Sequence, residues 1–119
     1  MINKTRVMLY VDDVANIKKF WIDNFDAKEI EEIFLSANYS GSVISINEQV
    51  ELGLFPKEFI KMHSPELTIG TPSIMLFVNN FYELHDSLCN VGDVFDNNGL
   101  LTFNFPDPED NYFVIAKNS

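Results

Sequence analysis

Few side chains in this sequence have the types and the spacing that catalysis needs. The chain holds one cysteine, Cys89, and two histidines, His63 and His85. A single cysteine excludes an internal disulfide and a cysteine-based zinc site. No spacing of cysteine, histidine and aspartate indicates nucleophilic catalysis. We therefore expect both histidines at the surface, and Cys89 packed against a sheet as a small hydrophobic residue.

Two other polar features have the chemistry to hold an ion. Arg6 is the only arginine in the chain, and a guanidinium can orient a carboxylate or a phosphate. Near the C-terminus, Asp107, Glu109 and Asp110 form an acidic turn. Their spacing is not that of an EF-hand calcium loop, so we expect a solvated turn rather than a metal site.

Composition narrows the class of protein further. Hydrophobic residues make up 46% of the 119 residues, the balance of one globular domain. Eighteen acidic and eight basic residues give a formal charge of −10, which argues against nucleic acid and anionic membranes as partners. We find no signal-peptide pattern and no apolar run of about 20 residues, and so expect a cytoplasmic protein.

The elements that position these side chains repeat along the chain. Residues 6–13 and 73–80 align without a gap, each an apolar run followed by two residues that cap helices well. After each pair, apolar residues recur every three or four positions, which predicts two helices, the second ending near Gly92. A third, short helix is predicted at Lys57–His63. The predicted strands cover 6–11, 28–35, 42–47, 50–55, 73–78, 93–95, 100–105 and 112–117, with turns at 39–41, 48–49 and 97–99.

Two motifs add to this repeated βαβββ pattern. One is Val-Asp-Asp-Val leading into Lys-Phe-Trp-Ile-Asp-Asn-Phe (11–25); the other is Phe-Pro-Asp-Pro-Glu-Asp-Asn-Tyr-Phe-Val-Ile (105–115). Together they resemble the vicinal oxygen chelate superfamily, which includes glyoxalase I, bleomycin-resistance proteins and extradiol dioxygenases. Asp110 stands where that family usually has Gly; aspartate enters the left-handed region more easily than most residues. The resemblance implies one α+β domain, with modules at about 1–56 and 73–119, a linker at about 57–72, and a curved mixed sheet around a concave pocket.

The same resemblance implies four metal-ligand positions, usually His on the opening strand of each module and Glu on each closing strand. Here these positions hold Arg6, Ser73, Val114 and Glu51. A guanidinium cannot ligate a divalent ion, and one carboxylate cannot hold a catalytic one. We therefore expect no metal, no cofactor and no catalytic residue. Arg6 and Glu51 then form either a structural ion pair or a contact to ligand.

Strand alternation predicts which side chains line the pocket implied by the resemblance. It is an apolar cavity with few charges, suited to flat or aromatic ligands. The predicted lining residues are Arg6, Met8, Tyr10, Glu51, Gly53, Phe55, Ser73, Met75, Phe77, Tyr112, Val114 and Ala116.

These expectations define two classes of function. The first is a metal-free small-molecule-binding protein, similar to the bleomycin-resistance proteins, that acts as a homodimer. Its ligand would be an aromatic or cationic compound such as a glycopeptide antibiotic, because the acidic chain attracts cations. The alternative is a metal-dependent glyoxalase-type lyase or isomerase with an atypical metal site.

Overall fold

The computed structural model describes residues 1–63 and 70–118, so the middle of the predicted linker lies outside the described residues. The chain divides into two compact units, Met1–Thr71 and Pro72–Ser119, each considered by itself. The first contains β1 (Thr5–Val11), α1 (Val14–Phe25), β2 (Lys28–Ser36), β3 (Tyr39–Ser45), β4 (Val50–Pro56) and α2 (Lys57–His63). The second contains β5 (Met75–Val78), α3 (Phe81–Ser87), β6 (Phe95–Asn97), β7 (Leu100–Pro106) and β8 (Tyr112–Lys117).

Each unit contains one four-stranded mixed sheet. The strand order is β1-β4-β3-β2 in the first and β5-β8-β7-β6 in the second. The opening strand of each unit pairs parallel with the closing strand, and the remaining neighbours are antiparallel. The predicted α+β class and the repeated βαβββ module are therefore confirmed. No helix among the described residues is long and apolar enough to cross a membrane.

Helix α1 begins and ends where its sequence favours a boundary. The Asp13 side chain accepts a hydrogen bond from the Asn16 backbone N–H at 3.0 Å, which satisfies a donor that the first helical turn leaves unpaired. After the last turn, Asp26 adopts a left-handed conformation with φ of 56°. Ile17 and Trp21 lie on the buried side of the helix, so the predicted apolar stripe is confirmed.

Most of the core of the first unit lies on one face of its sheet, although Val43, paired with Gly53 on the other face, is buried as well. The strand register places alternate residues of β1, β3 and β4 on that face, and five aliphatic residues among them are buried. They are Leu9, Val11, Ile44, Leu52 and Leu54. The opposite face therefore carries Arg6, Met8, Tyr10, Glu51, Gly53 and Phe55.

The turn predicted at Tyr39–Gly41 is wrong. Strand β3 begins at Tyr39, and the two turn residues are Ala37 and Asn38. Gly41 is buried within the strand, where a Cβ atom would lie 3.0 Å from the Leu54 carbonyl oxygen. This glycine is needed for the close approach of a neighbouring strand rather than for a turn.

The predicted end of the second helix is also wrong. Helix α3 ends at Ser87, and Asn90, with φ of 59°, takes the left-handed position that was expected near Gly92. The chain turns out of the helix early, so Cys89 is exposed and does not pack against the sheet. His85 is only half-exposed: its Nε2 lies 2.9 Å from the Gly92 carbonyl oxygen. His63, by contrast, is exposed as predicted.

The acidic turn between β7 and β8 is built around a buried carboxylate, so the expectation that it is merely solvated is wrong for Asp107. Asp107 Oδ1 accepts hydrogen bonds from the backbone N–H groups of Glu109 and Asn111, each at 2.9 Å. Its Oδ2 accepts a third from the Asn111 side chain at 3.0 Å. Asp110 has a φ of 61°, which confirms the left-handed conformation expected of it.

Replacing Asp107 with alanine should destabilise the chain by about 2–3 kcal/mol, because two backbone donors and one amide lose their acceptor in a buried turn. The matched control is Asp110→Gly, which suits the left-handed backbone and should change stability by less than about 1 kcal/mol. Urea unfolding of the two variants and the wild type measures both effects. Equal stability of the two variants would contradict this account of the turn.

Candidate functional site

The first candidate site is the sheet face that carries Arg6, which we call the Arg6 face (Arg6, Met8, Tyr10, Glu51, Gly53 and Phe55). Parallel pairing of β1 with β4 places Arg6 directly beside Glu51. Arg6 Nε donates a hydrogen bond to Glu51 Oε1 at 2.7 Å, and Nη2 lies 2.7 Å from the same oxygen. Lys4 Nζ lies 3.4 Å from the other carboxylate oxygen. The predicted juxtaposition of Arg6 and Glu51 is thus present in the structure.

The three charged groups differ in exposure. The Glu51 side chain is only 4% exposed, whereas the side chains of Arg6 and Lys4 are 40% and 58% exposed. Burial by itself would raise the pKa of the Glu51 carboxyl. The hydrogen bond from Arg6, assisted by Lys4, outweighs burial and holds this pKa below its ordinary value of 4.5. The carboxylate is therefore charged at neutral pH, and the three groups together carry a net charge of +1.

The rest of the Arg6 face is apolar and closely packed. A Cβ atom on Gly53 would lie 2.9 Å from Met8 Sδ and 3.4 Å from Arg6 Cδ, so both side chains pass over this glycine. Tyr10 and Phe55, paired in the register and half-buried, continue the surface along the strands. The face therefore offers an apolar platform with a charged group at one end.

These residues do not fit a divalent metal ion. Arg6 stands at one of the four implied ligand positions and has no lone pair to donate. At another, both oxygens of Glu51 already accept contacts from cationic side chains. In the part of the chain that the structure describes, no three His, Cys, Asp or Glu side chains come together in a group that could hold a metal.

The second candidate site lies in the other unit, on the sheet face that we call the Phe77 face (Met75, Phe77, Phe95, Tyr112 and Val114). The register of β5, β8, β7 and β6 places the first three and Val114 on one face, and alternation along β8 adds Tyr112. Its four largest side chains are between 45% and 65% exposed. Such a row of exposed aromatic and methionine side chains is unusual unless something binds there.

Two predicted lining residues of this unit, Ser73 and Ala116, are not part of the exposed Phe77 face. Ser73 is exposed but precedes β5, which begins at Met75 instead of the predicted residue 73. Ala116 is buried opposite Phe77. Phe95 was missed because lining residues were predicted only on the opening and closing strands of each module, whereas this residue lies on β6.

A third feature, also missed, is a cavity of about 380 Å³ in the first unit. It lies where α1 begins, beside the β2–β3 hairpin and the start of α2. The pair Asp12 and Asp13 was interpreted only as a helix cap, although both residues also line this cavity. The other lining residues are Val14, Asn38, Tyr39, Ser40, Pro56 and Glu58.

Comparison with known proteins identifies the fold. No family model and no curated protein matches the sequence. Among solved structures, the chain is similar to a glyoxalase/bleomycin resistance protein/dioxygenase superfamily member from Sphaerobacter thermophilus, with a TM-score of 0.79, 15% identity, and 99% and 98% of the two chains covered. It is also similar to TnmS3, an antibiotic binding protein from Streptomyces, with a TM-score of 0.75, 13% identity, and 100% and 98% covered.

A third similar structure is lactoylglutathione lyase from Agrobacterium tumefaciens, with a TM-score of 0.72, 15% identity, and 96% and 92% covered. At such identities the likeness shows the fold alone. The chain has the fold of the glyoxalase/bleomycin resistance protein/dioxygenase superfamily, as the two sequence motifs indicated. Proteins with this fold include both a binder of antibiotics and a lyase, so the fold does not select between them.

The Glu51 carboxyl should make stability depend on pH. A carboxyl whose pKa is lower in the folded than in the unfolded chain stabilises the fold above the unfolded value, and this stabilisation is lost as pH falls through the folded pKa. Wild type should therefore exceed Glu51→Gln in stability at about pH 7, and the difference should shrink below the ordinary pKa of 4.5.

Urea midpoints at about pH 7, 5, 4 and 3 test this expectation. The matched control is Glu29→Gln, because hydrogen bonds from Ser42 and Lys18 also lower the pKa of Glu29. Since Glu29 is exposed, its replacement should have a smaller effect. A difference between wild type and Glu51→Gln that stays constant across this range would show that the carboxylate charge contributes nothing.

Proposed function

We propose that this chain is a small-molecule-binding protein that uses no metal ion and recognises an aromatic or otherwise apolar compound. The observation that carries the proposal is the Phe77 face, on which four large side chains are about half exposed or more. Aromatic rings and methionine stack on flat ligands at little conformational cost. The Arg6 face supplies a second apolar platform, formed by Met8, Tyr10 and Phe55.

The charged group of the Arg6 face supports the metal-free part of the proposal. A divalent ion needs deprotonated ligands with free lone pairs. At the positions where the resemblance implies metal ligands, the chain instead carries an ion pair, Arg6–Glu51, a valine and a serine. The proposed action is stoichiometric sequestration of the compound, for which an antibiotic-binding protein of the same fold is the structural precedent.

We further propose that the chain acts in the cytoplasm as a homodimer. An exposed apolar sheet face on a small acidic domain favours association with a second copy, and sedimentation velocity measures it directly. The formal charge of −10 favours cationic compounds at long range.

The binding proposal predicts that the neutral fluorescent probe N-phenyl-1-naphthylamine binds the wild-type chain. Phe77→Ser should weaken this binding by about tenfold or more, because a stacking surface is removed. The matched control is Phe34→Ser, which removes an even more exposed phenylalanine from β2 outside both faces. Both exposed sites should tolerate the change with less than about 0.5 kcal/mol loss of stability.

Fluorescence titration gives the affinities, and circular dichroism confirms that each variant is folded. Equal loss of binding in both variants would show that the Phe77 face has no special role. Absence of probe binding by the wild type would count against a ligand-binding function of this kind.

The metal-free proposal has its own prediction. Thermal unfolding of chelator-stripped chain should be unchanged by Ni²⁺, Zn²⁺, Mn²⁺ or Fe²⁺. A metal at about 100 times its Kd would add roughly 2.7 kcal/mol of stability, which is several degrees for a domain of this size. A shift with one metal that disappears in Glu51→Gln would overturn the proposal and favour the lyase alternative.

A further inference from the structure

We infer that the Arg6 face binds the anionic group of its ligand, so that the compound is an apolar or aromatic molecule carrying one carboxylate, sulfonate or phosphate. This inference rests on the proposed function and adds the charge of the ligand to it. It departs from the expectation of a cationic compound, which came from the net charge of the whole chain.

The first observation that supports this inference is the geometry of the contacts between Arg6 and Glu51. The two nitrogens that approach Glu51 are Nε and Nη2, and both are directed at the single oxygen Oε1. Nη1 makes no hydrogen bond or ion pair within the described part of the chain. Its two N–H groups therefore have no acceptor among the described residues, on a side chain that is 40% exposed. Glu51 fixes the guanidinium and leaves donors for a second acceptor.

The second support is the local charge. Lys4 and Arg6 are two of only eight basic residues, and they meet one carboxylate, which leaves a charge of +1. At an ionic strength of about 0.1 M, charges farther than about 10 Å away are largely screened. Charges of the chain that lie beyond this distance therefore contribute little at Arg6, where the three groups in contact leave a positive charge.

The third supporting observation is the apolar surface beside the guanidinium group of Arg6. Arg6 and Met8 pass over Gly53, and the apolar platform continues to Tyr10 and Phe55. A ligand with an anion at one end and a ring at the other would meet a matching group at each end. An inorganic anion alone would leave the platform uncovered.

A matched pair of fluorescent probes tests this inference. The two molecules are 8-anilinonaphthalene-1-sulfonate and N-phenyl-1-naphthylamine, which share their rings and differ in the sulfonate. Wild type should bind the sulfonate about tenfold more tightly, since a charge-assisted hydrogen bond commonly contributes that much. Arg6→Gln should abolish this preference and leave the binding of the neutral probe nearly unchanged.

Two further variants separate an anion site from a structural effect. Glu51→Gln breaks the same ion pair but raises the local charge from +1 to +2, so it should strengthen sulfonate binding several-fold. If the ion pair mattered only for folding, Arg6→Gln and Glu51→Gln would change binding in the same direction. Lys19→Gln removes a positive charge from the exposed side of α1 and should leave both affinities unchanged.

Near-UV circular dichroism guards against loosened variants, which would take up both probes more strongly. Equal affinity of wild type for the two probes overturns the inference and leaves the binding function intact. A sulfonate preference that survives Arg6→Gln also overturns it, since the anion is then held elsewhere. If neither probe binds, the proposed function fails, and the inference fails with it.

Discussion

The parallel register of β1 and β4 is the constraint on which the first unit depends. It brings Arg6 beside Glu51 although the two residues are 45 positions apart in sequence. A carboxylate that is almost fully buried is tolerated only when it is paired, and a register shift of one residue would turn Glu51 onto the side packed with aliphatic residues. The ion pair and the aliphatic face therefore select the same register, one by charge and the other by burial.

Much of the fold follows from local sequence. The helices, the strand faces and the Asn98-Gly99 turn, where both residues have positive φ, were predictable from spacing and turn chemistry alone. The errors at Gly41 and Asp107 share one cause. The residue type indicates one local structure, but the tertiary contacts of the folded chain give the residue a different role. Gly41 resembles a turn residue but is needed where a strand approaches closely, and Asp107 resembles a solvated acid but organises a buried turn.

The candidate site was predictable in part for the same reason. Alternation assigns Arg6, Met8 and Tyr10 to one face. It does not predict which N–H groups of the Arg6 guanidinium contact Glu51. Which nitrogens approach Glu51 depends on the conformation of the Arg6 side chain, which strand alternation does not specify. Phe95 shows the complementary limit: β6 begins at this residue, where the predicted strand ended, so the sequence did not specify the register of this short strand.

The acidic surface and the Arg6 face have separate physical roles. Two sheet faces with large apolar side chains would promote aggregation of a neutral chain, and a net charge far from zero opposes it through repulsion between copies. That repulsion acts at longer range than a hydrogen bond and weakens with salt, whereas a group held against Arg6 interacts at contact distance. The sign of the whole-chain charge is therefore a guide to solubility and to approach. The sign at the ion pair is the better guide to the compound that stays bound.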